Sequence, residues 1–300
     1  MVSFKRIVIG LALIALIGTF SFASGQTETA EAQSVELAYV DGWARGVAIT
    51  HVAAEILTRM GYEVEATPVS NAAMWAALAE GDVDAQLTAW LPVTHGSFFG
   101  DGGEYTDRIV DLGPNFTGAA LGLIVPTYVP VDSIPELAAA GELVGFEITG
   151  IDPGAGMMQQ TENAIADDLS GLGEFSLLEG SGATMLAALD DAYRNETPIV
   201  VTLWAPHWAF GRWDLKLLDD PDGIFGAAEN IHTMARLGLE EDMPEVYAFL
   251  AETDWQSLDF GSVMVNNEAE GMDYFESARL FVDENLATVN AALPAGVSIE

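Results

Sequence analysis

The chain has 300 residues, half of them hydrophobic, and sets 10 Lys and Arg against 46 Asp and Glu for a formal charge of −36. A surface this acidic repels nucleic acid and anionic membranes, which removes two classes of partner, while the apolar content excludes an acidic disordered tail. There is no cysteine, so the sequence supports neither a disulfide scaffold nor a lipid-anchored lipoprotein.

The first segment, MVSFKRIVIGLALIALIGTFSFASGQ, has a basic start at Lys5 and Arg6, an apolar run from Ile7 to Phe20, then small residues. That layout predicts a secretory signal peptide over 1–23 and a periplasmic or otherwise extracytoplasmic protein. The apolar run falls short of the ~20 residues of a spanning helix; an uncleaved anchor is the alternative reading. Residues 24–33 are polar and aperiodic, a flexible leader. Losing Lys5 and Arg6 would leave 8 basic against 46 acidic residues, a charge of −38. Such a surface suits concentrated salt, where self-repulsion is screened.

From residue 34 onward the pattern alternates. Strands are predicted at 35–40, 62–69 and 83–89, with an amphipathic helix at 46–61 and a helix at 71–80. The stretch 118–130, apolar and then punctuated by proline, reads as a crossing segment. Strands follow at 142–148, 175–180 and 198–203, with helices at 156–169 and 182–193. After 230–239 the chain turns helical, and these helices are expected to pack back on the first half. Alternation of this kind predicts an α/β fold with mainly parallel sheets. Two lobes are expected with a hinge between them: 34–122 as the first part of lobe 1, 123–235 as lobe 2, and 236–300 as helices returning to lobe 1.

Two stretches repeat. SNAAMWAALAEGDVDAQLTAWLP (70–92) and SGATMLAALDDAYRNETPIVVTLWAP (181–206) each run from Ser through a Met-bearing Ala/Leu helix and an acidic turn to a strand ending in Trp-x-Pro. Met74 and Met185 are 111 residues apart and Trp90 and Trp204 are 114 apart, so the copies differ by three residues. Duplicated helix–strand units predict two similar halves. In open α/β sheets ligands bind beyond the carboxyl ends of the strands, so Trp90 and Trp204 are expected to face one cleft. Trp43 stands just past the first strand. Three indoles at strand ends suit a quaternary ammonium, which has no N–H to donate; cation–π contact contributes ~0.5–2 kcal/mol per ring. The glycine-rich TGIDPGAGMM (149–158) leads into a helix start, whose free N–H groups attract a carboxylate. Gly156 leaves room for it, and His95 can donate a further hydrogen bond.

The segments AYVDGW, MWAALAEGDVDAQLTAWLPVTH, GIDPGAGMM, VVTLWAPHW and LLDDPDGIFGAAENIHTMAR resemble, in that order, the motifs of glycine betaine/proline betaine-binding periplasmic proteins of ABC importers. The resemblance runs from about residue 35 to 290; GWARGVAIT departs from the family pattern just after Trp43. It implies a two-lobed, hinge-closing binding protein that delivers its ligand to ABC permease subunits for osmoprotection. It further implies a cation cage of Trp43, Trp90 and Trp204. The ligand carboxylate would be held by the backbone amides of Gly156 and Met157 and by His95. On this reading the protein is a monomer and no enzyme, with no catalytic residue, cofactor or metal. Choline, carnitine or proline betaine is the alternative ligand, and a sensor the alternative destination. An exported hydrolase using Ser181 with His95 or His207 is a remote third. His207, Trp208, Trp213 and Trp75 are expected to be packing residues, and DDPDG (219–223) a turn.

Overall fold

The computed structural model describes residues 33–300 apart from residue 270. The signal-peptide and leader readings lie outside the described residues, save for residue 33.

The first half is built from β1 (Ser34–Tyr39), α1 (Ala44–Arg59), β2 (Glu63–Pro68), α2 (Asn71–Glu80) and β3 (Ala85–Leu91). The three strands are parallel, in the order β2-β1-β3. Then β4 (Ile109–Pro126) runs for 18 residues, and α3 (Ile134–Ala139) opens the second half. The same succession follows there: β5 (Glu147–Thr149), α4 (Gly156–Ala166), β6 (Ser176–Leu178), α5 (Gly182–Arg194) and β7 (Val201–Ala205). These strands are again parallel, in the order β6-β5-β7. The repeat seen in the sequence is thus a repeat of topology. Each copy ends with its Trp at the last-but-one position of a strand, followed by a cis prolyl bond, Leu91–Pro92 and Ala205–Pro206.

The crossing segment is longer than its apolar stretch suggested. From Ile109 to Ala119, β4 pairs antiparallel with β9 (Glu229–Arg236), and from Ala120 it pairs antiparallel with β7 and with β8 (Leu215–Leu217). One strand therefore belongs to both sheets. β9 also pairs antiparallel with β3, so the crossing strands add antiparallel ladders to the parallel βαβ units and make the sheet mixed. The expected strand at 142–148 is only its last part. Residues Gly141–Val144 form a single 3-10 turn, and Gly145 takes a left-handed φ of 65° that breaks it from β5.

The C-terminal part holds α6 (Ala209–Arg212) before β8, then α7 (Leu239–Asp242), α8 (Pro244–Glu252), α9 (Gly261–Asn267), α10 (Tyr274–Glu284) and α11 (Leu286–Ala292). Helices α9 and α10 return to pack on α1. That explains why α1, expected to be amphipathic, buries thirteen of its sixteen residues. A helix with a sheet on one side and helices on the other needs apolar residues all round.

Candidate functional site

In the first half, the chain leaves β1, turns at Gly42 and enters α1 through Trp43. The Trp43 indole stacks on the His95 ring, with centroids 5.7 Å apart and planes 15° apart. Trp90 and His95 close a tight loop after β3. The His95 N–H donates to the Trp90 carbonyl at 2.9 Å, and the Trp90 N–H donates to His95 Nδ1 at 2.9 Å. Because Nδ1 accepts, the imidazole proton sits on Nε2. Burial pushes the His95 pKa down to about 3, so the ring is neutral and Nε2–H remains a donor. The imidazole is neutral in the fold and protonates near pH 6.5 in the unfolded chain. Its contribution to stability is therefore complete above that pH and is lost as the pH falls toward 3.

Glu229, buried at the start of β9, holds this loop from beneath. Its carboxylate accepts from the Val93 N–H at 2.5 Å, the Thr94 N–H at 3.0 Å and the Thr94 hydroxyl. Trp75 packs edge-on to His95 and stacks on Phe98, while its Nε1–H donates to Asn71 Oδ1 at 3.1 Å. It is a core residue, as expected, and it supports the His95 ring.

In the second half, Trp204 stands near the end of β7 with His207 edge-on at 5.1 Å. The loop 150–155 leads to Gly156, the first residue of α4. The N–H groups of Gly156 and Met157 head the helix and have no acceptor among the described residues. A side chain at 156 would not fit. A Cβ there would lie 2.4 Å from the Thr94 carbonyl oxygen and 2.7 Å from its Cγ2. The helix start thus meets the loop of the first half backbone to backbone.

Further contacts join the halves. Trp43 Nε1–H donates to Asp152 at 3.2 Å, Asn71 Nδ2–H donates to the Gly154 carbonyl at 3.0 Å, and Gly42 lies against Gly182. Between them is a cavity lined by Trp43, Trp90, Trp204, His95, Gly156 and Met157, with Arg45, Thr88, Leu121, Ile151 and Ile231 among its other walls. Its volume is about 40 Å³, roughly three times the ~10–15 Å³ that one water requires. That is space for one small molecule and not for a peptide or an oligosaccharide. The three indoles are 6–8% exposed.

All six residues singled out in the sequence thus line one cavity, although they come from segments up to 161 residues apart, from Trp43 to Trp204. His207, Trp208 and Trp213 do not line it. Trp208 packs between His207 and Trp213, with Arg212 over both indoles. Ser181 caps α5, its Oγ accepting from the Thr184 N–H at 3.2 Å, and it too stands outside the cavity. Residues 219–223 form a turn, in which Asp220 accepts from the Phe225 N–H at 2.8 Å. Asp152, Asn71, Glu229 and Arg45 escaped the sequence reading. Arg45 lines the cavity itself, the other three act on the site through a partner far along the chain, and no local pattern marks any of the four.

Among the described residues no helix is long and apolar enough to cross a membrane. The family described as the substrate-binding domain of ABC-type glycine betaine transport systems (OpuAC) matches residues 33–284. The glycine betaine/carnitine transport binding protein GbuC of Listeria monocytogenes is 42% identical over 170 residues. That alignment covers 57% of this chain and 54% of the Listeria protein, about half the length of that relative. Among solved structures, the glycine/betaine/L-proline-binding protein ProX of Borrelia burgdorferi is 36% identical. It superposes with a TM-score of 0.81 over 88% of this chain and 97% of its own. Lactococcal OpuAC, in its closed form with glycine betaine, is 34% identical, with a TM-score of 0.80 over 87% of this chain and 100% of its own. These neighbours are two-lobed binding proteins, and the two half-sheets joined by β4 have that architecture. With a family match spanning most of its length and the same fold, this chain belongs to the family of substrate-binding domains of ABC-type glycine betaine transport systems.

Proposed function

We propose that this protein captures glycine betaine, or a close quaternary ammonium zwitterion, outside the cytoplasm and delivers it to an ABC permease. Trp43, Trp90 and Trp204 would hold the trimethylammonium group by cation–π and dispersion contact. The N–H groups of Gly156 and Met157 and the Nε2–H of His95 would hold the carboxylate, the helix start adding its positive end. The observation that carries this reading is the meeting of three indoles with three neutral donors in one small cavity. Closure of the two lobes on the ligand is a hinge change. The lobes are read as 34–122 with 236–300 against 123–235. The passage of β4 between sheets at Ala119 and Ala120, and the pairing of β9 with β3, support that division with seams a few residues earlier.

Titration calorimetry of the purified protein in molar salt tests the reading. Saturable binding of glycine betaine, with choline at least tenfold weaker, is the expected result. Proline betaine and carnitine serve as competitors. Equal affinity for choline would remove the carboxylate site, and binding of neither ligand would refute the reading. Repeating the betaine titration at pH 8 and pH 5 should give the same Kd, because His95 protonates only near pH 3. A loss of affinity with a midpoint near 6.5 would show that the imidazole titrates as an ordinary histidine.

A further inference from the structure

Arg45, two residues past Trp43 on α1, lines the same cavity and is 4% exposed. Its guanidinium donates to the Asn115 side-chain oxygen at 2.9 Å and to the Asn115 carbonyl at 3.2 Å. It lies 5.0 Å from the centre of the Phe116 ring and 5.5 Å from that of Phe260. All of these partners are neutral. Every other described lysine or arginine (Arg59, Arg108, Arg194, Arg212, Lys216, Arg236 and Arg279) has a carboxylate partner. In a chain with 46 acidic residues, the one cation on the cavity wall is the one without a counter-ion. The carboxylates that touch cavity residues, Asp152 on Trp43 and Glu229 on Thr94, are held by those donors and form no ion pair with Arg45. Burial brings the Arg45 pKa down to about 9, which leaves the side chain charged at neutral pH.

An unpaired buried charge is costly, because water no longer solvates it and nothing has replaced the water. His95 and the two helix-start amides are neutral and do not change that balance. A zwitterion entering the cavity brings the missing negative charge together with its own positive one, for no net addition. A bare cation adds a second positive one, where the low dielectric screens repulsion least.

We propose that Arg45 is a specificity-determining residue of this cavity, its uncompensated guanidinium making the site select cations that carry a carboxylate over cations that do not. The inference rests on the quaternary ammonium reading above and names what sets the choice within that class. Arg45 acts through space, and its hydrogen bonds to Asn115 hold the charge in place.

The test is titration of the wild-type protein, Arg45→Met, Arg45→Gln and Arg45→Lys with glycine betaine and with choline, in one buffer. The neutral variants are expected to narrow the betaine-to-choline affinity ratio by about tenfold or more, which is ~1.4 kcal/mol. The lysine variant, titrated at about pH 5 where its ammonium stays protonated despite burial, is expected to keep the ratio within about threefold of wild type. Loss of both ligands by the same factor would mean that Arg45 only anchors α1 to β4, and the proposal would fail. An unchanged ratio in the neutral variants would end it as well. Should those variants not fold, the lysine variant decides at about pH 5: a preserved ratio there supports the charge, and a narrowed one overturns it. Wild-type protein that binds neither ligand would refute the glycine betaine reading itself, an outcome separate from any result with the variants.

Discussion

Gly156→Ala is expected to weaken ligand binding by about ten- to a hundredfold, the size of effect that overpacking by ~1–3 kcal/mol produces. The new Cβ would lie 2.4 Å from the Thr94 carbonyl oxygen, a separation folded proteins essentially never show, and 3.1 Å from its carbon, itself a tight contact. One side must move. The Thr94 loop cannot yield easily, because Glu229 accepts from two of its N–H groups and from the Thr94 hydroxyl. The start of α4 would therefore have to back away from Thr94. This would separate the Gly156 and Met157 amides from His95 and hold the lobes apart. The clash lies at the contact between the helix start and the Thr94 loop and can be relieved by separating the halves, so thermal unfolding without ligand should hardly change. Small-angle scattering with saturating ligand measures the closure: the variant should stay more open than wild type. A variant that closes and binds like wild type would show that the contact at Thr94 is not part of the closed state.

Trp204→Ala has the second large effect, reached by a different route. It removes one of three aromatic faces, worth ~0.5–2 kcal/mol of cation–π attraction, together with the dispersion contact of a large ring. Affinity should fall at least tenfold. Because Trp204 makes none of the contacts between halves named above (Trp43–Asp152, Asn71–Gly154, Gly42–Gly182, Gly156–Thr94), closure at saturating ligand should survive. Fluorescence titration against glycine betaine reads the first quantity and scattering the second. Unchanged affinity would remove Trp204 from the cage. Taken together, the variants would separate the two ends of the proposed ligand: Gly156→Ala through geometry at the expected carboxylate site, Trp204→Ala through chemistry at the expected cation site.

Much of this site was legible in the chain because it rests on local signals. Trp-x-Pro at the end of an apolar run marks a strand that stops and presents a ring, and it occurs twice because the half-domain occurs twice. The GIDPGAGMM turn announced a helix start with free amides. The same locality explains the reading of 71–80 as a helix, observed as Asn71–Glu80. Where the local signal was mixed, the reading slipped. The 142–148 run looked like one strand because Leu143, Val144, Phe146 and Ile148 crowd into it, yet Gly145 divides it. β9 went unassigned because NIHTMAR breaks strict alternation, with His232 beside Thr233 and Met234 beside Ala235, and only its neighbours β3 and β4 make it a strand.

What the sequence by itself determined is the α/β alternation, the internal repeat, and Trp43, Trp90, Trp204, His95 and Gly156 as candidate site residues, with Met157 added only by the family resemblance. The alternation and the five residues follow from propensity, periodicity or chain geometry within about a dozen residues, and the repeat from comparing stretches 111 to 114 residues apart. What only the tertiary structure decided is which of these ends face each other and which charges find partners. α1 is buried all round because α9 and α10 fold back over it. Glu229 holds the Thr94 loop from 135 residues away, and Asp152 takes the Trp43 N–H across 109. Arg45 lacks a carboxylate because the neighbours that packing gives it are Asn115 and two phenyl rings. Pairing of charges and closure of backbones are properties of distance in space, and distance in space is set by the packing of the whole chain.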